Sequence, residues 1–330
     1  MRGLLKSIAA GVGAAMISFG AQAQEFTWNL ANHYPATEFQ SEAMQMFADS
    51  LRESTGGRLD ITTHHGGSLF ANPVVLESTR NGLVEMGSEL MTNLGREHPL
   101  WELDGIPFLV TSYDQAKILW DVTREPLTEE LAKSGVRLLY AVPWPSQGFF
   151  FDREINSLAD VKGLSMRAYN PSTTRLAELM GAVPTTVQIT EMQQAFATGL
   201  ISSFNTAPTS GVVYKSWEYT KFYYKTDAWL PKLMVFVRED VYQALPDDIK
   251  EMVQKAAMEA EAWGWEQSEA KVAEAEKTLA DNGMTVTPPS EALKAELAEV
   301  GKTMVDEWLQ KAGAEGEAAV AEFRKRSAGN

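Results

Sequence analysis

The stretch Asp160-Val161-Lys162-Gly163-Leu164-Ser165-Met166-Arg167 decides how this chain is read. A glycine turn leads into a short strand, predicted over 164–168, with an arginine near its end. A guanidinium is planar, stays charged at physiological pH and offers a carboxylate two parallel charge-assisted hydrogen bonds. Most arginines are solvated surface groups, so Arg167 takes its meaning from its surroundings.

Outward from that strand, the pattern is strand and helix in alternation. A helix is predicted from Ser172 to Met180, ending at Gly181, then a strand at 185–187, a helix at 190–198 and a strand at 202–205. The first half does the same: strands at 26–31, 58–63 and 84–87 alternate with helices at 38–54 and 76–81. Such alternation predicts largely parallel, doubly wound α/β sheets. Two helices follow, at 112–122 and on to Lys133, then strands at 136–142 and 148–151. The segment 228–237 carries the chain back towards the first sheet. A long helix is expected from Asp247 to Leu279, with Asp247 and Asp248 at its positive end, and a last amphipathic helix at 291–311. The tail from Arg324 is expected to be mobile. The expected fold is therefore an α/β clamshell of two lobes. The first lobe spans 24–147 plus a returning segment of about 230–285. The second spans 148–229 plus the C-terminal helices of about 286–330. Ligand is expected in the cleft, at the carboxyl ends of strands.

Residues 1–23 read as a secretory signal: Arg2 and Lys6 precede a small, apolar run, and Ala21-Gln22-Ala23 suits cleavage before Gln24. That run is shorter than the ~20 residues needed to span a bilayer, so the mature chain is expected in the periplasm without membrane insertion. There are no cysteines, which excludes disulfides, zinc thiolates and cysteine nucleophiles. The formal charge of −15 argues against nucleic acid or an anionic membrane as partner. It leaves room for a small anion, because charges beyond ~8–10 Å are screened from a local positive pocket.

Arg167 sits among Trp144, Gln147, Phe149, Phe150, Phe151, Tyr169 and Asn170, with Asn205 and Thr206 ending the next strand but one and Tyr214 and Trp217 following. The three phenylalanines read mainly as core. Asn32-His33-Tyr34-Pro35 ends the first strand, where it either faces the cleft or simply turns at Pro35. His64-His65 does not make a metal pair, since adjacent strand residues point to opposite faces. The chain lacks the phosphate-loop, nucleophile-elbow and zinc-helix motifs; no enzyme activity, cofactor or metal is called for.

With these residues in view, the chain resembles the solute-binding proteins of tripartite ATP-independent periplasmic (TRAP) transporters. The resemblance rests on ordered blocks that include Arg80-Asn81-Gly82-Leu83-Val84-Glu85-Met86, Ile106-Pro107-Phe108-Leu109, Asp160 to Arg167, Gly181-Ala182-Val183-Pro184 and Ala195 to Ile201. It implies a two-lobed periplasmic receptor, a long helix bracing both lobes, delivery of ligand to a membrane permease pair, and Arg167 as the substrate-carboxylate clamp. Sialic-acid-type members carry a second arginine twenty residues earlier, where this chain has Gln147. The family's Asp-Gly-x-Glu-Asn run reads Ser202-Ser203-Phe204-Asn205-Thr206 here. The expected ligand is a small organic monocarboxylate, an aromatic acid being favoured over a sugar acid or a short oxo- or hydroxy-acid. Arg167 would hold the carboxylate; Gln147, Asn205 and Thr206 would supply neutral hydrogen bonds; Trp144, Tyr169 and Trp217 would flank the body; Asn32 and His33 would reach in from the first lobe. An ATP-driven importer's receptor is the alternative, and a monomer is expected.

Overall fold

The computed structural model describes residues 25–71 and 74–329; the signal reading and its cleavage site lie outside the described residues. The strands are β1 (Phe26–Ala31), β2 (Leu59–His64), β3 (Met86–Leu90), β4 (Val136–Pro143), β5 (Gly148–Phe151), β6 (Ser165–Ala168), β7 (Val183–Thr186), β8 (Ser203–Thr206), β9 (Phe222–Tyr224), β10 (Lys232–Arg238) and β11 (Thr285–Thr287). The α-helices are α1 (Phe39–Ser54), α2 (Val75–Arg80), α3 (Tyr113–Ala132), α4 (Leu158–Val161), α5 (Pro171–Leu179), α6 (Met192–Ala197), α7 (Pro208–Val213), α8 (Glu239–Gln243), α9 (Asp247–Asp281) and α10 (Glu291–Ser327). The strands make two sheets, ordered β2-β1-β3-β10-β4 and β11-β9-β5-β8-β6-β7.

Both sheets are mixed rather than largely parallel. β1 pairs parallel with β2 and β3, and β6 with β7 and β8, as their crossover helices require. β10 runs antiparallel between β3 and β4, and β5 antiparallel between β8 and β9. These two strands arrive from the opposite lobe and enter each sheet from the far end. The two connections that carry them are bonded to each other. Trp144 N donates to Pro231 O (2.8 Å), Gln147 N to Trp229 O (2.9 Å) and Ala228 N to Gln147 O (3.1 Å).

The deciding stretch folds for local reasons. Asp160 accepts from the amides of Asn156 (2.9 Å) and Ser157 (3.0 Å) and so caps α4. Gly163 then turns with φ 79°, a left-handed conformation that disfavours a side chain, and its amide bonds Gly181 O (2.8 Å). Alternation along β6 sends Met166 into the core and Arg167 to the other face.

α1 buries Phe39, Ala43, Met44, Phe47 and Leu51 along one side against the first sheet and α9. α9 comes close to β4 because position 264 is glycine: a Cβ there would lie 2.5 Å from a Val142 methyl. α3 is one helix rather than two. Leu119, Thr123, Leu127 and Leu131 continue a buried stripe straight past Pro126. α10 breaks at Gly313 (φ 60°) but resumes to Ser327. The tail is helical up to that residue because Val320 and Phe323 are buried in the core. Across the cleft, Asn170 Nδ2 donates to Thr92 Oγ1 (3.0 Å) and Ser172 Oγ to Gly105 O (3.3 Å).

Candidate functional site

At the carboxyl end of β6, Arg167 is 4% exposed. Its Nε donates to Val187 O, just beyond β7, at 2.8 Å, and its guanidinium lies 4.7 Å from the Tyr169 ring centroid. Among the described residues, no carboxylate stands within ion-pair distance of it. Burial pulls its pKa below the usual value, offset only by the phenol groups of Tyr169, Tyr34, Tyr214 and Tyr219. An arginine stays protonated even so. A buried, uncompensated cation costs several kcal/mol, which makes this place a receptor for an anion.

The cavity beside it encloses about 470 Å³ with its open mouth included. Of the residues singled out from sequence, Trp144, Gln147, Arg167, Tyr169 and Thr206 line it. Trp144 is held by its backbone bond to Pro231 and packs 5.0 Å from the Tyr34 ring. The Gln147 amide nitrogen donates to Pro145 O at 2.9 Å. A carbonyl can only accept, so this bond fixes which end of the amide is nitrogen. The Gln147 amide oxygen accepts no hydrogen bond from the described residues.

The other four lie outside the lining. Asn205 shares the face of β8 that carries Ser203, opposite to Thr206, so its amide is buried (1% exposed) behind the Tyr169 hydroxyl. Trp217 packs in the aromatic cluster of Phe150, Phe204 and Tyr34 that backs the cavity. The Asn32 amide is spent within the protein. Its nitrogen donates to Ser41 Oγ (2.7 Å) and Tyr34 O (3.2 Å) and lies 3.0 Å from His65 Nδ1. Its oxygen accepts from Tyr34 N (3.2 Å) and Ser88 Oγ (2.9 Å). His33 is buried edge-on to Tyr34, and burial, with Arg167 nearby, lowers its pKa.

Sequence reasoning passed over Tyr34, Leu90, Gln188, Ile189, Ser210 and Pro231, which also line the cavity. Tyr34 stands in the loop flagged for Asn32 and His33. The network around Asn32 holds the Tyr34 backbone through its N–H and its carbonyl. Ser210 lies on α7, and Pro231 on the crossing into β10.

Comparison with known proteins gives a consistent set. Residues 30–311 match the family DctP, bacterial extracellular solute-binding protein, family 7. The fold is similar to DctP6 of Bordetella pertussis, an extracytoplasmic solute receptor binding pyroglutamic acid (41% identity, 91% of this chain and 99% of that one, TM-score 0.89). It is also similar to DctP7 of the same organism, which binds the same acid (39%, 90% and 99%, TM-score 0.89). A TRAP solute-binding protein from an unidentified marine microbe, specific for pyroglutamate, compares equally well (37%, 92% and 100%, TM-score 0.89).

Proposed function

The chain belongs to the family 7 extracellular solute-binding proteins, the periplasmic receptors of TRAP transporters, and from that premise we propose that it captures pyroglutamate for its membrane permease. The family is one of receptors rather than enzymes. The observation that carries the ligand class is the buried Arg167, which no carboxylate among the described residues pairs with. With Nε bound to Val187 O, its terminal nitrogens would receive the carboxylate end-on.

Pyroglutamate is a compact five-membered lactam with one carboxylate. Its ring would lie among Tyr34, Trp144, Leu90, Ile189 and Pro231. The Gln147 amide oxygen would accept the lactam N–H, and the hydroxyls of Thr206 or Ser210 would donate to the lactam carbonyl. Three relatives at 37–41% identity bind pyroglutamate, which supports this acid over the aromatic one favoured from sequence.

Titration calorimetry on protein stripped of carried-over ligand by unfolding and refolding tests the proposal. Pyroglutamate should bind in preference to proline, which lacks the lactam carbonyl, to glutamate, which carries a second carboxylate, and to benzoate. Binding of benzoate with no heat from pyroglutamate would replace this reading with the aromatic one.

A further inference from the structure

Glu38 precedes α1 on the first lobe and is 1% exposed. Its backbone carbonyl starts the helix, accepting from the Ser41 (2.9 Å) and Glu42 (3.1 Å) amides. Its side chain does something else. It makes no capping hydrogen bond to the amides of α1, and neither carboxyl oxygen has a well-formed hydrogen bond. The hydroxyl of Ser210, on α7 of the second lobe, faces it, and Ser210 lines the ligand cavity. On its outer side, Glu38 lines a separate crevice with Thr209 of α7 and with Lys271 and Glu274 of α9. Glu38 thus stands at the seam between the lobes, with the ligand cavity on one side and a solvent-facing crevice on the other.

The charged and titratable groups around it do not compensate an anion. On its own helix the neighbour is Glu42, of like charge. From α7 come Ser210, Thr209 and the Tyr214 phenol, whose own pKa Glu38 helps to raise. From α9 come Lys271 and Glu274, of opposite sign to each other, and no ion pair joins Lys271 to Glu38 among the described residues. A buried carboxylate without donors or cation is far costlier than the neutral acid.

We propose that closure of this receptor on its ligand takes up a proton at Glu38, so that capture is proton-linked. With the lobes together the carboxyl is sealed and neutral; with the lobes parted α1 and α7 separate and the carboxyl meets water. The direction of its titration agrees. Burial pushes the Glu38 carboxyl up to about 8, with Glu42 adding to the rise and Ser210 partly offsetting it. A group whose pKa rises on closing binds its proton between its ordinary value near 4.5 and about 8. Affinity therefore falls as pH rises through that window, about tenfold per unit where uptake is complete, and levels off above it. His33 works in the opposite sense and only below its ordinary 6.5, because its pKa is lowered. Glu89, raised by burial to about 7, is common to wild type and variant and cancels in their comparison.

The test takes the mature protein and its Glu38→Gln variant, with pyroglutamate as probe, in calorimetry at pH 6.5 to 8 in two buffers of different ionisation enthalpy. Wild type should take up close to one proton per ligand more than Glu38→Gln at pH 7. The ratio of their dissociation constants, wild type over variant, should rise about tenfold between pH 6.5 and 7.5. Equal proton uptake and parallel pH profiles would overturn the proposal, as would zero uptake by wild type should the variant not fold. This choice of probe rests on the pyroglutamate reading. If neither chain binds it, that reading fails on its own, and the same two-buffer comparison with D-glucuronate and benzoate as probes decides the linkage: greater proton uptake by wild type than by Glu38→Gln supports it, and equal uptake overturns it.

Discussion

Replacing Arg167 by methionine separates what the residue does for the ligand from what it does for the fold. Its guanidinium is buried with one backbone bond, and no carboxylate among the described residues pairs with it. Exchanging a buried charge for an apolar side chain of similar length is often neutral or stabilising by about 1–4 kcal/mol. The lost bond leaves Val187 O short of a donor, a cost of about 1–3 kcal/mol. The two nearly cancel, so Arg167→Met should unfold within about 2 kcal/mol of wild type, a shift of about 4 °C at most for a chain of this size. With ligand, the balance differs. Removing one partner of a buried ion pair costs about 3–5 kcal/mol, which is roughly a hundredfold to several-thousandfold in affinity. Differential scanning fluorimetry with and without pyroglutamate reads both quantities at once. Wild type should rise with ligand, by about 4 kcal/mol at a thousandfold excess over its Kd, and Arg167→Met at the same concentration by no more than about 1.4 kcal/mol. Affinity within threefold of wild type would refute the carboxylate assignment. A ligand-free loss well beyond 3 kcal/mol would show that Arg167 is a keystone of the second sheet instead.

Asn32→Ala removes the network that orders the Tyr34 loop; we expect a loss of about 2–3 kcal/mol in urea unfolding together with weaker ligand binding as the Tyr34 ring loosens. Gly264→Ala raises helix propensity by about 1 kcal/mol, yet its Cβ would collide with Val142. Net destabilisation of about 1–2 kcal/mol in denaturant melts is the expected sign, and a gain would mean that α9 can stand off from β4. Phe150→Ala opens a void beside Phe204, whose ring stacks on it at 4.5 Å, and should cost about 3–5 kcal/mol. For His33, whose pKa is lowered by burial and Arg167, the folded state binds its proton less readily than the unfolded chain. Its contribution to stability is whole above pH 6.5 and is lost as pH falls from there through the folded value. Urea midpoints of His33→Gln should therefore fall less steeply than those of wild type below pH 6.5.

Much of this was legible in the sequence because it is local. β1, β2 and β6 alternate, α1 repeats its apolar side chains at helical spacing, and Gly163 marks the turn before Arg167. What alternation does not carry is direction. β5 and β10 read as apolar strands whichever way they run, and only their entry from the other lobe makes them antiparallel. The same division holds at the site. Trp144, Gln147, Arg167, Tyr169 and Thr206 cluster at strand ends, where the expectation of a cleft looked for them. Ser210 and Pro231 reach the cavity through a helix after β8 and a crossing strand, and nothing in their neighbours marks them. Asn205 and Thr206 are adjacent in sequence, but the pleat sends them to opposite faces. α3 continued past Pro126 because tertiary burial of its stripe outweighed the local break.

The paired connections between the sheets set a constraint on how this receptor can evolve. Trp144 and Gln147 sit on the very backbone that joins the lobes and that is bonded to residues 228–231 of the return crossing. A side chain chosen there to suit a new solute also alters the flexure about which the lobes swing. On the proposed site, selectivity and mechanics share a residue set, so a change of cargo drawn from these positions should bring a change in opening and release rates with it. Substitutions at Leu90, which lines the cavity from β3, would on this reading retune selectivity while leaving that articulation alone.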